Sequence, residues 1–349
     1  MENTKIIRES VTREILKRYG FSEGFSEQKE YINYQGEDGD GLVKIVFSVL
    51  PENGQRLVLK ILHEEDDLSA ERNKIEKQSA FSEFMREKGI PTPKRYMAGG
   101  KYCNEVIYQD IPCNVTVEDW CGEEIKEINT GIAYKIGELM ARMHILSLEN
   151  HCEIGCGTLF SAAYWNDVDA FPRFCELCRN EHLDQDMAEQ IKNLHQERIE
   201  VLRAVWDRLP KVAVQGDISI NNLVDGEEGL IVFDYNNAGD EVLVSDLVME
   251  GLLTAYEMDL PEGADPACRK EFFPAFLKGY LSVRKLSEEE EAAARLIYSV
   301  YNGLWFSRVM CNEDSLEKLV EREEYDKANL LMKQMLGDME ESEEGPSYI

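Results

Sequence analysis

The spacing of apolar side chains changes period several times along the first 120 residues. Residues 5–20 carry them at helical spacing and predict an amphipathic helix. Lys44–Leu50 (KIVFSVL) is short and rich in β-branched residues, and Pro51-Glu52-Asn53-Gly54 is a turn signal. Leu57–Leu62 (LVLKIL) returns after it, so the pair predicts a β-hairpin. Over residues 67–88 the period becomes helical again, with Ile75, Gln78, Phe81 and Met85 on one face. Gly89-Ile90-Pro91-Thr92-Pro93 stops that helix. Two further strands are expected at Val106–Ile111 and Val115–Trp120.

After Gly122 the pattern is mostly helical. Ile132–Ser147 shows apolar residues at i, i+3, i+4 and i+7, and residues 185–208 predict a second long helix. Two short apolar runs, Val212–Val214 and Leu230–Phe233, read as strands, and Ser245 to about Met335 reads as helices. The end of the chain, GDMEESEEGPSYI (337–349), is acidic and aperiodic, and disorder is expected there. There is no internal repeat. The fold class expected is α+β: a small β-rich region over 1–118 and a larger, mainly helical one over 119–336. The segment Glu118-Asp119-Trp120 reads as the connector.

Charge narrows the partners. Lys and Arg total 38 against 68 Asp and Glu, a formal charge of -30 over 349 residues. Such a field repels phosphate backbones and anionic lipid, so neither nucleic acid nor a membrane is an expected partner. No apolar run is long enough to span a bilayer. The start, MENTKIIRESVTREILKRYG, is charged throughout and lacks the apolar core of a signal peptide, so a cytoplasmic location is expected. Nine cysteines in that setting read as reduced thiols. His151, Cys152, Cys156, Cys175, Cys178 and His182 have ligand chemistry suited to zinc. Cys175 and Cys178 are also i, i+3 neighbours on a predicted helix, where thiols pack as small apolar groups, and that reading is preferred.

The stretch VQGDISINNL (214–223) carries the chemistry. Asp217 and Asn222 lie five apart just past a predicted strand, and the next apolar run ends on Asp234. Phosphoryl transfer needs a carboxylate to orient or deprotonate the acceptor and hard oxygen ligands for magnesium. It also needs a cation on the phosphates and backbone amides to cover them. Asp217, Asn222 and Asp234 are suitable residue types in a suitable order.

Gly216-Asp217-x4-Asn222, an apolar strand into Asp234, and Asp246-Leu247 twelve residues on resemble the catalytic region of the aminoglycoside phosphotransferase family. That family includes choline-kinase-like and homoserine-kinase-like enzymes and shares the two-lobed protein-kinase fold. Lys60 in LVLKIL, the Gly-Ile-Pro-Thr-Pro step and the helix carrying Met140-Ala141-Arg142-Met143-His144 match in order, so the resemblance covers nearly the whole chain. It implies that Asp217 is the catalytic base and that Asn222 and Asp234 hold Mg2+. Asp246 would brace the catalytic loop through backbone hydrogen bonds, and Lys60 would grip the phosphates of ATP or GTP. Gly36, Gly39 and Gly41, with Glu118 at the connector, would contact the nucleotide.

The sequence departs from the family pattern in places. Gln215 stands where His usually precedes Gly-Asp, and the Gly36, Gly39 and Gly41 spacing is not that of protein kinases. Glu71, Glu76 and Gln78 all remain open as the partner of Lys60. His144, closing an apolar helical face, reads as a core residue. Trp120, Trp165 and Trp305 read as core or pocket walls.

The function expected is phosphate transfer from ATP or GTP to a hydroxyl of a small molecule. Sugar or homoserine-type kinases and a silent nucleotide-binding pseudokinase are the alternatives. A protein kinase is disfavoured, because YNNAGDEVLVS between Asp234 and Asp246 is too short for a peptide-docking segment. Acids at Glu257, Asp259, Glu262, Asp265, Glu321, Glu323 and Glu324, with Tyr298, Tyr301, Trp305 and Phe306 between them, suit a cationic acceptor. The run Glu288–Glu291 reads as a solvated face.

Overall fold

The computed structural model of the chain describes residues 2–35, 42–52, 54–164, 169–227 and 229–341. From the N-terminus the elements are α1 (Glu2–Arg18), β1 (Phe25–Gln35), β2 (Val43–Pro51), β3 (Leu57–His63), α2 (Leu68–Glu87), β4 (Asn104–Tyr108) and β5 (Ile111–Asp119). Next come α3 (Thr130–Glu149), α4 (Phe171–Leu177), α5 (Gln185–Val205), β6 (Lys211–Val214), β7 (Leu223–Gly226), β8 (Gly229–Val232) and β9 (Gly239–Val242). Helices α6 (Leu243–Tyr256), α7 (Phe272–Val283), α8 (Glu288–Gly303), α9 (Phe306–Val309), α10 (Leu316–Glu321) and α11 (Tyr325–Glu341) complete the α+β fold. The chain divides into two compact units. Unit one is Met1–Glu124 with Val224–Asn236, and unit two is Ile125–Leu223 with Asn237–Ile349.

Unit one is built on a five-stranded antiparallel sheet of order β1-β2-β3-β5-β4. The expected hairpin is β2–β3. Strand β1 was not expected, for an identifiable reason. Its sequence FSEQKEYINYQ lies at the sheet edge with Tyr31, Ile32 and Tyr34 exposed, and register shifts at Glu27/Lys29 and Glu30/Ile32 break the two-residue period. The β4–β5 turn also differs from the expected strand limits. Gln109 and Asp110 both take positive φ (51° and 66°), the backbone of a two-residue hairpin turn without the usual Asn-Gly. Helix α1 puts Val11, Ile15 and Leu16, and the turn after it Tyr19, into a core with Ile45, Phe47, Leu59, Ile61 and Val117. Asp67 caps α2 by accepting from the Ser69 and Ala70 amides.

The hairpin β7–β8 brings the second segment of unit one back to α2. The Val232 amide donates to the Pro91 carbonyl (3.0 Å), Gln78 Nε2 donates to the Asn236 carbonyl (2.6 Å), and Phe81 meets Tyr235 edge-on.

Unit two is mainly helical. Helices α3 and α7 cross with their backbones in contact at Gly137 and Gly279. A Cβ on Gly137 would collide with the Phe276 carbonyl, and one on Gly279 with that of Tyr134. A second core gathers Phe174, Ile191, Val309, Leu316, Met332, Met335 and Met339. That core corrects the first part of the expected tail: α11 runs on to Glu341, because Met339 is fully buried and its carbonyl accepts from Arg198 Nη1 (2.8 Å), while residues 342–349 lie outside the described residues. Glu290 is likewise no solvated residue. It caps α8 with Ser287 and pairs with Arg284 at 2.6 Å in a buried contact.

Candidate functional site

In unit one, Lys60 stands on β3 opposite Thr116 of β5, which puts Glu118, two residues on, on the same face. Lys60 Nζ lies 3.2 Å from Glu118 Oε1 and 3.1 Å from Asp234 Oδ1. The far side of Glu118 meets Arg95 Nη2 at 3.2 Å. Arg95 in turn donates from Nη1 to Ser79 Oγ (2.8 Å) and from its amide to Glu83 Oε1 (2.6 Å). Lys60, Glu118 and Arg95 are each at most 4% exposed, whereas the Asp234 side chain is 33% exposed. Burial alone would lower the Lys60 ammonium, but Asp234 and then Glu118 outweigh it and hold the pKa above its ordinary value. Burial alone would raise the Asp234 carboxyl, and Lys60 reverses that, holding it below the ordinary range.

Helix α2 supplies no acid to Lys60, so the partner left open in the sequence lies elsewhere. Glu71 accepts from the Glu64 amide and from Asn114 Nδ2, Glu76 from the Tyr102 and Cys103 amides, and Gln78 donates to Asn236. All three side chains are committed to holding loops. Asp234 has φ +55°, a left-handed conformation that Asp tolerates better than most residues. Gly36, Gly39 and Gly41 lie outside the described residues, as does Trp165.

In unit two, β6 pairs with β9 and leads directly into the loop that carries Asp217. Gln215 folds back so that its Oε1 accepts from the Asp217 amide (2.9 Å), closing a tight turn in place of the expected histidine. Gly216 has φ +75°, and a Cβ there would lie 2.7 Å from the Asn237 carbonyl, so only glycine fits. Asn222 Nδ2 donates to the Asp217 carbonyl (2.8 Å). Asn237 Nδ2 donates to Asp217 Oδ2 (3.0 Å) and orients the half-buried carboxylate.

Asp246 does not brace this loop as the resemblance implied. It accepts from His144 Nε2 (2.9 Å), and the loop amide of Ile218 donates instead to Glu250 Oε2 (2.9 Å), one turn further along α6. His144 is buried, as expected of a core residue, but it also continues a polar chain. Arg284 Nη1 donates to the Tyr280 hydroxyl (3.1 Å), which leaves that hydroxyl's own proton for His144 Nδ1 (2.9 Å). His144 Nε2 then carries the hydrogen that meets Asp246. Asn237, Arg95 and Glu250 were not foreseen. For Glu250 the signal was its i+4 spacing from Asp246, which stacks both acids on one helix face.

The acid and aromatic residues of unit two are more committed than their pattern suggested. Trp305 is fully buried and donates from Nε1 to Glu257 Oε1 (2.6 Å), while Tyr301 is buried with its hydroxyl on the Ala162 carbonyl. Tyr256 stacks on Trp305 at 5.8 Å. Glu257 itself is exposed, as is Asp259. His151, Cys152 and Cys156 line a separate cavity of about 560 Å³ with Lys211 and Asp240, whereas Cys178 is buried in the core beside Phe174.

Each unit carries a donor end of a type that suits magnesium. Asn222 spends its amide nitrogen on the Asp217 carbonyl, which leaves Oδ1 as its cation-binding end, and Asp234 offers an ionised carboxylate. Among the described residues no three His, Cys, Asp or Glu side chains form a metal cluster.

No protein-family profile matches the chain, and no curated protein does. Solved structures do match. The microcompartment-associated aminopropanol kinase aligns at 15% identity over 96% of each chain with a TM-score of 0.57. The amicoumacin kinase in complex with AMP-PNP, Ca2+ and its ligand Ami aligns at 15% identity, over 97% of this chain and 96% of that one, with a TM-score of 0.56. An aminoglycoside phosphotransferase from Alicyclobacillus acidocaldarius aligns at 12% identity, over 90% and 93%, with a TM-score of 0.51. The fold is the protein-kinase-like fold of small-molecule kinases. At these identities the likeness is one of fold.

Proposed function

We propose that the protein is a phosphotransferase that moves the γ-phosphate of ATP or GTP to a hydroxyl of a small molecule. The observation that carries this reading is the Asp217 loop. Gln215 holds the Asp217 amide, Asn222 its carbonyl and Asn237 its carboxylate, so two contacts fix the backbone and one orients the side chain before any substrate arrives. Such preorganisation at a half-exposed acid fits a catalytic base better than a turn cap. The aminopropanol kinase and amicoumacin kinase support it by analogy of fold.

In this reading Asp217 accepts the proton of the acceptor hydroxyl as the oxygen bonds to the γ-phosphorus. The bond from phosphorus to the β–γ bridging oxygen breaks, and the nucleoside diphosphate leaves with that electron pair. Lys60 has three N–H donors and two carboxylate oxygens near it, so one donor remains for a phosphate oxygen. Glu118 and Arg95 keep Lys60 in place. Asn222 and Asp234 would hold Mg2+, which when bound would neutralise charge on the phosphates. Asp246 acts on His144 and not on the loop.

The acceptor is read as a cation, an aminoglycoside or an amino alcohol. Exposed Glu257, fixed by the Trp305 indole, and Asp259 offer a negative surface in unit two that an ammonium group would meet. The test is a screen of aminoglycosides, amino alcohols and neutral sugars with coupled detection of nucleoside diphosphate release. Turnover of amines with Mg2+ is the expected result. Turnover of sugars alone would overturn the cationic acceptor, and no turnover with nucleotide still bound would favour a silent regulator.

A further inference from the structure

Glu250 is a buried acid held by one neutral donor. It lies on α6, 1% exposed, with Oε2 accepting from the Ile218 amide and Oε1 buried without a hydrogen-bond partner. The titratable groups that act on it are Asp246, one turn before it, and Asp217, in the loop it touches. Both are acids. Burial first, then Asp246 and Asp217, push its carboxyl well above the ordinary range, and the single Ile218 N–H pulls the other way. An ionised carboxylate there would be a negative charge out of water, beside two other acids, with one donor to stabilise it.

We propose that Glu250 is a positioning residue that works as an uncharged acid: it clamps the Ile218 amide, and so fixes the neighbouring Asp217, without placing charge beneath it. This rests on the reading of Asp217 as the base. The geometry explains the choice of side chain. The loop amide needs an acceptor at the length of Glu, and a carbonyl oxygen of a neutral carboxyl supplies it. A charged clamp would repel the carboxylate it serves to position, and an apolar side chain would leave the Ile218 N–H buried and unsatisfied.

Two variants and two spectroscopic readouts test this. Glu250→Gln keeps a neutral group with an acceptor oxygen and is expected to retain kcat within about threefold. Glu250→Leu keeps bulk but removes the acceptor, and is expected to lower kcat about tenfold or more with KM little changed. Amide hydrogen exchange at Ile218 should stay slow in Glu250→Gln and quicken in Glu250→Leu. The infrared difference between wild type and Glu250→Gln at neutral pH should show the band of a protonated carboxyl. Equal loss of kcat in both variants, an unchanged kcat in Glu250→Leu, or a carboxylate band would each overturn the proposal. Should the wild type turn over no substrate, the base assignment fails, while exchange and infrared still decide whether Glu250 is a neutral clamp. Should Glu250→Leu fail to fold, Glu250→Gln and the infrared band decide it.

Discussion

The Lys60 cluster of unit one and the Asp217 loop of unit two handle acid in opposite ways. The first pairs it: Glu118 sits between Lys60 and Arg95, and Asp234 stays ionised because Lys60 lies against it. Around the second, amides do much of the holding. Asp217 is met by the Asn237 amide and Glu250 by a backbone N–H, while Asp246 is met by His144. Glu241 shows the consequence. Its carboxyl meets the Val242 amide and the Ser161 side chain, and burial, with Asp246 adding to it, still pushes it up to about 7. The same residue type is therefore a fixed charge in the Lys60 cluster and a titrating or neutral group beside the Asp217 loop. What stands within about 4 Å decides which.

The comparison is tested most strongly at Asp217. Asp217→Asn should leave secondary structure and nucleotide binding intact and lower kcat by about 10²–10⁴, the usual worth of a positioned base. A variant within a few-fold of wild type would remove Asp217 from that role. Next in size is Lys60→Ala, which strands Asp234 and half of Glu118. It should cost about 3–5 kcal/mol in denaturant unfolding, as for other broken buried pairs, and abolish the rise in Tm on adding nucleotide. Lys60→Met with Glu118→Gln removes charge from both sides and should recover part of that loss. No recovery would mean that pairing is not what holds unit one's acids.

Glu241 tests the other half. Its folded value of about 7 lies above the ordinary 4.5, so the native state binds the extra proton. The stability it contributes is fully present below about pH 4.5, declines as pH rises through 7 and is gone above it. Across that window the loss is about 3 kcal/mol, at 1.36 kcal/mol per unit. Glu241→Gln should flatten this part of the curve when unfolding is compared at acid and mildly alkaline pH. Smallest is the salt effect on the acceptor. If Glu257 and Asp259 attract a cation, its KM should rise a few-fold between about 0.05 and 0.5 M salt, because screening shortens their reach. A KM indifferent to salt would leave those acids as ordinary surface.

The elements with a clean period were legible in the sequence. Strands β2 and β3 and helices α2, α3 and α5 follow from residues a few positions apart, and so does the run from Asp217 through Asn222 to Asp234, which is local in the chain. What repeats locally can be read locally. The edge strand β1 could not, since bulges break its period and neither face is apolar throughout. Nor could the partner of Lys60. Glu118 lies 58 residues away, and only the pairing of β3 with β5 brings the two side chains to one face. The same holds along α6. The sequence offers Asp246 and Glu250 on one helical face, but the rotation and depth of that helix under the loop decide that Glu250 reaches Ile218 while Asp246 turns to His144. Residue type and spacing determined which groups could do chemistry here. Which of them meet was set by packing, because a hydrogen bond depends on a few tenths of an ångström that no local pattern encodes.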